Sequence, residues 1–308
     1  MRRFVLFAYV VALAMALAGC GGSGSGSSTH EELLVGSSGN GKILRYNAAT
    51  GAYLGVFAQG GPLVSPNGLG QLPTGEVVVG DFVNHKILLY SQKGAFEREL
   101  GTLAGTPFDL LVLPNGDFLV SENFSPSPAP HPTGRVVKYT NGAFHTFIEG
   151  GPLNGPDGMA IGPDGNLYLS SQDSFQVLKY NVNTGALLGV VTEGDPLGTP
   201  NAGPSGLAFG PDGNLYVTQH DTNPVATTNG MVLRYNGTTG AFMDFIVPEH
   251  SGGISGPIGV GFTPSGNLLV TSAATNELLA YALNGVPAGV FATSPDLQGP
   301  IYFTKVRR

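Results

Sequence analysis

The stretch Pro156-Asp157-Gly158-Met159-Ala160-Ile161-Gly162-Pro163-Asp164-Gly165-Asn166-Leu167-Tyr168-Leu169 recurs almost unchanged as Pro204-Ser205-Gly206-Leu207-Ala208-Phe209-Gly210-Pro211-Asp212-Gly213-Asn214-Leu215-Tyr216-Val217. Each copy holds two prolines seven residues apart, and the second opens a Pro-x-Gly turn that suits a tight hairpin with glycine at positive φ. The same spacing returns at Pro66/Pro73, Pro107/Pro114 and Pro257/Pro264. Each pair therefore brackets one short strand, and the apolar run after the turn is a second. A third strand ends in tyrosine at Tyr46, Tyr90, Tyr139, Tyr180, Tyr235 and Tyr281. A further glycine turn follows at Gly51, Gly94, Gly142, Gly185, Gly240 and Gly285 and leads into a fourth strand.

Four antiparallel strands in each repeat of about 40 to 50 residues predict the blades of a β-propeller. There are six third strands but five complete proline pairs. A sixth leading proline, Pro300, is followed by Ile301 to Val306, and Arg308 ends the chain where the hairpin turn is due. The N-terminal runs Leu33 to Val35, Lys42 to Tyr46 and Tyr53 to Ala58 supply the missing strands. The expected fold is all-β, six-bladed, with the last blade closed by both chain ends and no open sheet edge. Residues 33–308 give 46 per blade.

Composition excludes other classes. Only 11% of the 308 residues are charged, while 48 glycines and 23 prolines rule against coiled coils and helical bundles. The 42% hydrophobic content, with 17 Phe and 11 Tyr, is enough for a large core. Arg2 and Arg3 precede an apolar run from Phe4 to Leu17, the layout of a secretory signal spanning 1–19. The single cysteine, Cys20, follows Leu17-Ala18-Gly19, and residues 20–32 read as a Gly/Ser-rich tether. Removing 1–19 takes away two of 14 basic residues and no acid, leaving 12 minus 21, or −9. That balance argues against a nucleic-acid partner. With Cys20 modified, the fold has no thiol for a disulfide or thiolate metal site.

Leu17-Ala18-Gly19-Cys20 resembles the lipobox of bacterial lipoproteins, which implies lipidation at Cys20, a membrane anchor and an extracytoplasmic place in the cell envelope. Pro66-Asn67-Gly68 and Pro73-Thr74-Gly75, with Asp81-Phe82-Val83-Asn84-His85-Lys86 and Tyr90, resemble an NHL repeat. The resemblance spans six blades and is sharpest in this one. More loosely, the chain is similar to the regucalcin and gluconolactonase group, also six-bladed. In gluconolactonase-like proteins metal ligands stand just after the leading proline. That position here holds Asn67, Phe108, Asp157, Ser205, Ile258 and Ile301. Asn67 and Asp157, with Asp109 one residue from the matching place, are the candidate ligands for Ca²⁺ or Mg²⁺, which take oxygen donors. The glutamate that the resemblance calls for at the first such position is absent, and Asn67 and Asp157 equally suit the turn before a strand.

His220, Asp221 and Glu122 open two long loops of the candidate face and form a weaker acid–base candidate. The seven-bladed streptogramin-lyase-like propellers carry a His-x-Glu cluster not seen here. His85 reads as a loop former, and Asp164 and Asp212 as turn residues on the opposite face. The loop Ser125 to Pro132 suits a lid or a solvated insertion. The tyrosines, repeated once per blade, are read as blade packing. Two function classes follow: a binding or interaction scaffold for an extracytoplasmic protein, peptide, glycan or small molecule, or a divalent-metal-assisted hydrolase or lyase.

Overall fold

The computed structural model describes residues 31–124, 134–192, 203–220 and 230–308. Cys20, the loop Ser125 to Pro132 and Asp221 lie outside them, and His220 is described in its backbone only. Blade one holds β4 (Pro66–Gln71), β5 (Val77–Asp81), β6 (Lys86–Tyr90) and β7 (Phe96–Thr102). Blade two holds β8 (Thr106–Val112), β9 (Phe118–Asn123), β10 (Gly134–Thr140) and β11 (Ala143–Glu149). Blade three holds β12 (Pro156–Ile161), β13 (Leu167–Ser171), β14 (Gln176–Tyr180) and β15 (Leu187–Thr192), and blade four β16 (Pro204–Phe209), β17 (Leu215–His220), β18 (Gly230–Tyr235) and β19 (Phe242–Val247). Blade five holds β20 (Val260–Phe262), β21 (Leu268–Ser272), β22 (Glu277–Tyr281) and β23 (Pro287–Ala292). Blade six joins β24 (Pro300–Arg307) to β1 (Glu31–Ser37), β2 (Lys42–Asn47) and β3 (Tyr53–Gln59), in the order β24-β1-β2-β3. The protein is a six-bladed β-propeller closed by its two chain ends.

The local chemistry is as the turns require. Gly75, Gly116, Gly165, Gly213 and Gly266 of the Pro-x-Gly hairpins all have positive φ, between 74° and 96°. β1 begins at Glu31, so Glu31 and Glu32 belong to the closing sheet and not to the tether. Glu32 pairs across to Val306 and its carboxylate is held by Arg45 at 2.6 Å.

Because side chains alternate across a strand, each blade is apolar on both faces and packs against two neighbours. Val77 and Val79 face blade six, whereas Val78 faces blade two. Six buried clusters result among the described residues, one at each junction of neighbouring blades. Tyr46, Tyr90, Tyr180, Tyr235 and Tyr281 are buried in five of them, which is the packing role expected of the tyrosine series. Hydroxyls on the second strands then link blades near the axis. Ser170 donates to Ser205 O at 2.6 Å, Thr218 to Ile258 O at 2.6 Å and Thr271 to Ile301 O at 3.0 Å. These bonds fix the backbone at the mouth of the central channel.

Candidate functional site

The residues just after the leading prolines converge where the first strands begin. Asn67, Phe108, Asp157, Ile258 and Ile301 line a cavity of about 340 Å³, joined by Phe82, Ser38, Ser65, Gln172 and Tyr302. Phe82 and Phe108 meet edge to face with ring centroids 5.4 Å apart and form one wall. Ile258 and Ile301 add aliphatic surface, and the polar groups lie toward the axis. A wider opening of about 670 Å³ lies at the other end of the channel, between turn residues such as Pro73, Gly75 and Pro114.

The next position explains the floor. In blades one, three, four and five it is glycine: Gly68, Gly158, Gly206 and Gly259. A Cβ there would come within 2.5, 2.4, 2.2 and 2.5 Å of the following blade's backbone. Glycine thus lets the innermost strands close on the axis. Blades two and six depart from this and carry Asp109 and Tyr302. Tyr302 crosses the channel from blade six to blade three and donates its hydroxyl to Asp157 Oδ1 at 2.5 Å. Ser205 donates to the other oxygen, Oδ2, at 2.8 Å. Asp109 accepts the backbone N–H groups of Met159 and Leu110, each at 2.8 Å. Burial pushes the Asp109 carboxyl up to about 7; its two N–H donors oppose this and the negative charge of Asp157 adds to it. Burial likewise raises the Tyr302 hydroxyl well above its ordinary value, reinforced by the charges of Asp157 and Asp109, so it stays a donor. Asn67 is buried; its amide nitrogen donates to Pro107 O at 3.4 Å, while its Oδ1 has no hydrogen-bond partner.

Asn67, Asp109 and Asp157 therefore share one channel, as the proline spacing requires. Their surroundings are those of a hydrogen-bonded floor. Both carboxylates face protein donors, and among the described residues no group of three or more His, Cys, Asp or Glu side chains could hold a metal ion. A hard cation needs several oxygens turned toward one point, and Tyr302 and Ser205 point hydrogens there instead. Tyr302 was not singled out by the sequence reading. The signal that marks it is the missing glycine two residues after Pro300, shared with Asp109 after Pro107.

Glu122 belongs to a different structure. It stands opposite Pro107 in the β8–β9 ladder, at the register place taken by Asp81, Ser171, Gln219 and Ser37 in other blades. Asp81 Oδ2 accepts the N–H of Val64 and of Ser65, and Ser171 Oγ that of Asn154, tying down the segment before the first strand. Glu122 does the same with Gly105 N at 2.5 Å, and its other oxygen is bound by Arg135 at 2.6 Å. It is fully buried, and blade three separates it from His220 of blade four. The expected pairing of Glu122 with His220 on neighbouring loops is corrected accordingly. His85 takes φ +56° in the turn between β5 and β6, as Gly41, Phe175 and Asn276 do in theirs, and its ring meets Thr106 Oγ1 at 3.1 Å. This is a loop-forming role. Asp164 is bound by Lys179 at 2.5 Å, and Asp212 accepts from Asn214 and Tyr216, both on the Pro-x-Gly end.

No protein-family model and no curated protein matches the chain. Solved structures do. A nidogen/laminin complex structure aligns over 90% of this chain and 98% of that one, with TM-score 0.67 and 16% identity. A streptogramin B lyase aligns over 75% and 70%, with TM-score 0.55 and 19% identity. Virginiamycin B lyase from Staphylococcus aureus aligns over 77% and 73%, with TM-score 0.56 and 18% identity. These likenesses establish the propeller fold. The function has to be argued from the channel.

Proposed function

We propose that this chain is a lipid-anchored, extracytoplasmic binding propeller of the bacterial cell envelope that captures a small molecule or short peptide through its axial pocket. The observation that carries the reading is the pocket itself: an aromatic and aliphatic wall over a polar floor, at the channel mouth where five of the six blades contribute described residues. Chain direction supports the anchored arrangement. β1 starts at Glu31 beside Arg307, at the Pro-x-Gly end, and finishes at Ser37 beside Pro300, at the pocket end. A tether from Cys20 would enter the propeller at the end opposite the pocket and so would not obstruct its mouth. Fractionation of a Cys20→Ser variant tests the anchor; its normal retention in the membrane fraction would remove that part of the reading. Loss of all small-molecule binding in the soluble propeller would remove the rest.

The alternative is a divalent-metal-assisted hydrolase or lyase, favoured by one feature, the Asp109–Asp157 carboxyl pair within the channel. Melting with Ca²⁺, Mg²⁺ or a chelator separates the two. A specific ion raises the melting temperature with its affinity, whereas the binding propeller melts identically in all three.

A further inference from the structure

The two ends of the propeller differ in charge and in apolar exposure. Nine of the twelve Lys and Arg side chains after residue 30 stand toward the Pro-x-Gly end, and the other three, Lys42, Lys86 and Arg135, lie at the starts of third strands near the pocket. Only eight of the eighteen described Asp and Glu side chains lie with the nine. Some of these charges cancel in place, as Asp117 is bound by Lys138 at 3.0 Å and Asp164 by Lys179. Lys93, Lys305 and Arg307 are exposed and have no ion pair among the described residues. Residues 1–30, which lead into β1 at this end, contain no Asp or Glu that could supply one. Lys305 and Arg307 also line the wide channel opening there. The same end gathers nine of the fourteen exposed large hydrophobic side chains. Eight of these begin fourth strands or sit in the turn just before, among them Leu187, Leu188, Phe242 and Met243, between 41% and 52% exposed. Single exposed apolar residues scattered over a surface need no explanation, but five of the six blades place theirs at one end.

On the reading of the chain as lipid-anchored, we infer that the Pro-x-Gly end is a seat for an anionic phospholipid bilayer, with the pocket turned outward. Lys93, Lys305 and Arg307 meet headgroup phosphates, and the apolar residues that open the fourth strands enter the boundary between headgroups and acyl chains. The other end is repelled, since it holds most of the acids and only three bases. At physiological salt the force between exposed charges decays over about 8 Å, so the nearer end governs the contact. An acyl chain on Cys20 alone would leave the propeller free to tumble on its tether, whereas this end gives it one orientation. The eleven residues from Cys20 to His30 span at most about 40 Å, which keeps the bilayer within reach of the face at high local concentration. A second copy of the chain is a poorer occupant, because two such ends would bring unpaired cations face to face.

The test uses the chain from residue 20 onward with Cys20→Ser, which keeps the tether and every blade but carries no acyl group. It is sedimented with vesicles of phosphatidylcholine alone and of phosphatidylcholine mixed with phosphatidylglycerol. Binding is expected on the mixed vesicles, to weaken as salt rises, and to be lower on phosphatidylcholine alone. Each cation near an anionic surface contributes about fivefold, so Lys305→Gln with Arg307→Gln should lower binding to mixed vesicles at least tenfold. Leu188→Ser with Met243→Ser should weaken binding to both kinds. Because no other cysteine is present, a polarity-sensitive dye on Thr74→Cys reports the Pro-x-Gly end and one on Val83→Cys the pocket end. The first should shift to the blue on vesicle binding and the second should not. Melting curves of each variant show that the propeller is folded. Failure of the folded chain to bind mixed vesicles, binding indifferent to Lys305 and Arg307, or a blue shift at Val83→Cys overturns the seat. So does a dimer in solution that Leu188→Ser dissociates, which would assign the face to a second copy. None of these results touches the anchor, which membrane fractionation of Cys20→Ser reads separately.

Discussion

Replacing Asp109 with asparagine should change how the propeller's stability depends on pH. A carboxyl whose folded-state pKa is raised loses stability as pH climbs from the unfolded value to the folded one, because the unfolded chain releases its proton first. For Asp109 the window runs from 3.8 to about 7, and above it the penalty is constant. Three units at about 1.4 kcal/mol each set an upper bound of roughly 4 kcal/mol. Asp109 keeps some contact with channel water although protein surrounds it on most sides, and that contact lowers the figure. Between pH 5 and pH 8 we expect a change of about 2 kcal/mol. Asparagine does not titrate, but its amide NH₂ must face one of the two backbone N–H groups that Asp109 now accepts, a loss of about 1 kcal/mol at every pH. The variant should therefore be close to the parent in stability at pH 5, where the penalty already begun in the parent offsets the lost hydrogen bond, and more stable than the parent by about 2 kcal/mol at pH 8. Urea unfolding at both pH values measures this, and parallel pH profiles for the two proteins would refute the raised carboxyl.

Three other perturbations probe the frame around the pocket. Deleting Gly299 to Arg308 removes β24, exposes the edge of β1 and should cause aggregation or a large loss of stability, read by light scattering and melting; an unchanged melting curve would contradict ring closure. Glu122→Gln breaks the ion pair between the fully buried Glu122 and the partly exposed Arg135 and should cost about 2 kcal/mol while leaving ligand binding unchanged; unchanged stability with lost binding would restore Glu122 as a site residue. Gly94→Ala puts a Cβ at φ +87° and 1.9 Å from Phe57 O of the preceding blade, so denaturant melts should show a loss of at least about 2 kcal/mol.

The propeller was legible because its repeat is written in residues with strict backbone demands. The second proline of each pair and its glycine fix a hairpin, and that hairpin fixes the register of the two strands it joins. The position after the leading proline was legible for the same reason, and it does line the pocket. What the repeat obscured was its exceptions. Tyr302 sits among Ile301, Phe303 and Val306 and reads as one more apolar strand residue, yet its hydroxyl reaches a carboxylate 145 positions away in sequence. Glu122 reads as a loop acid because Glu-Asn-Phe looks like the end of a strand. Only the ladder opposite Pro107 shows that β9 continues through Asn123. Contacts between distant blades leave no local periodicity to detect.

The Tyr302 bridge also sets an order of events during synthesis. β24 carries the tyrosine that spans the channel, and it is the same strand that pairs with β1 at the opposite end of the chain. Until the ribosome has made Pro300 to Arg307, Leu33, Leu34 and Val35 wait without their final partner. The nascent protein then has five blades and no floor to its pocket. Such end-to-end pairing is slow, because the long loop must be closed before any contact rewards it. The Tyr302–Asp157 bridge and ring completion therefore arrive in one step, and a prematurely terminated chain that still folds in part would lack both.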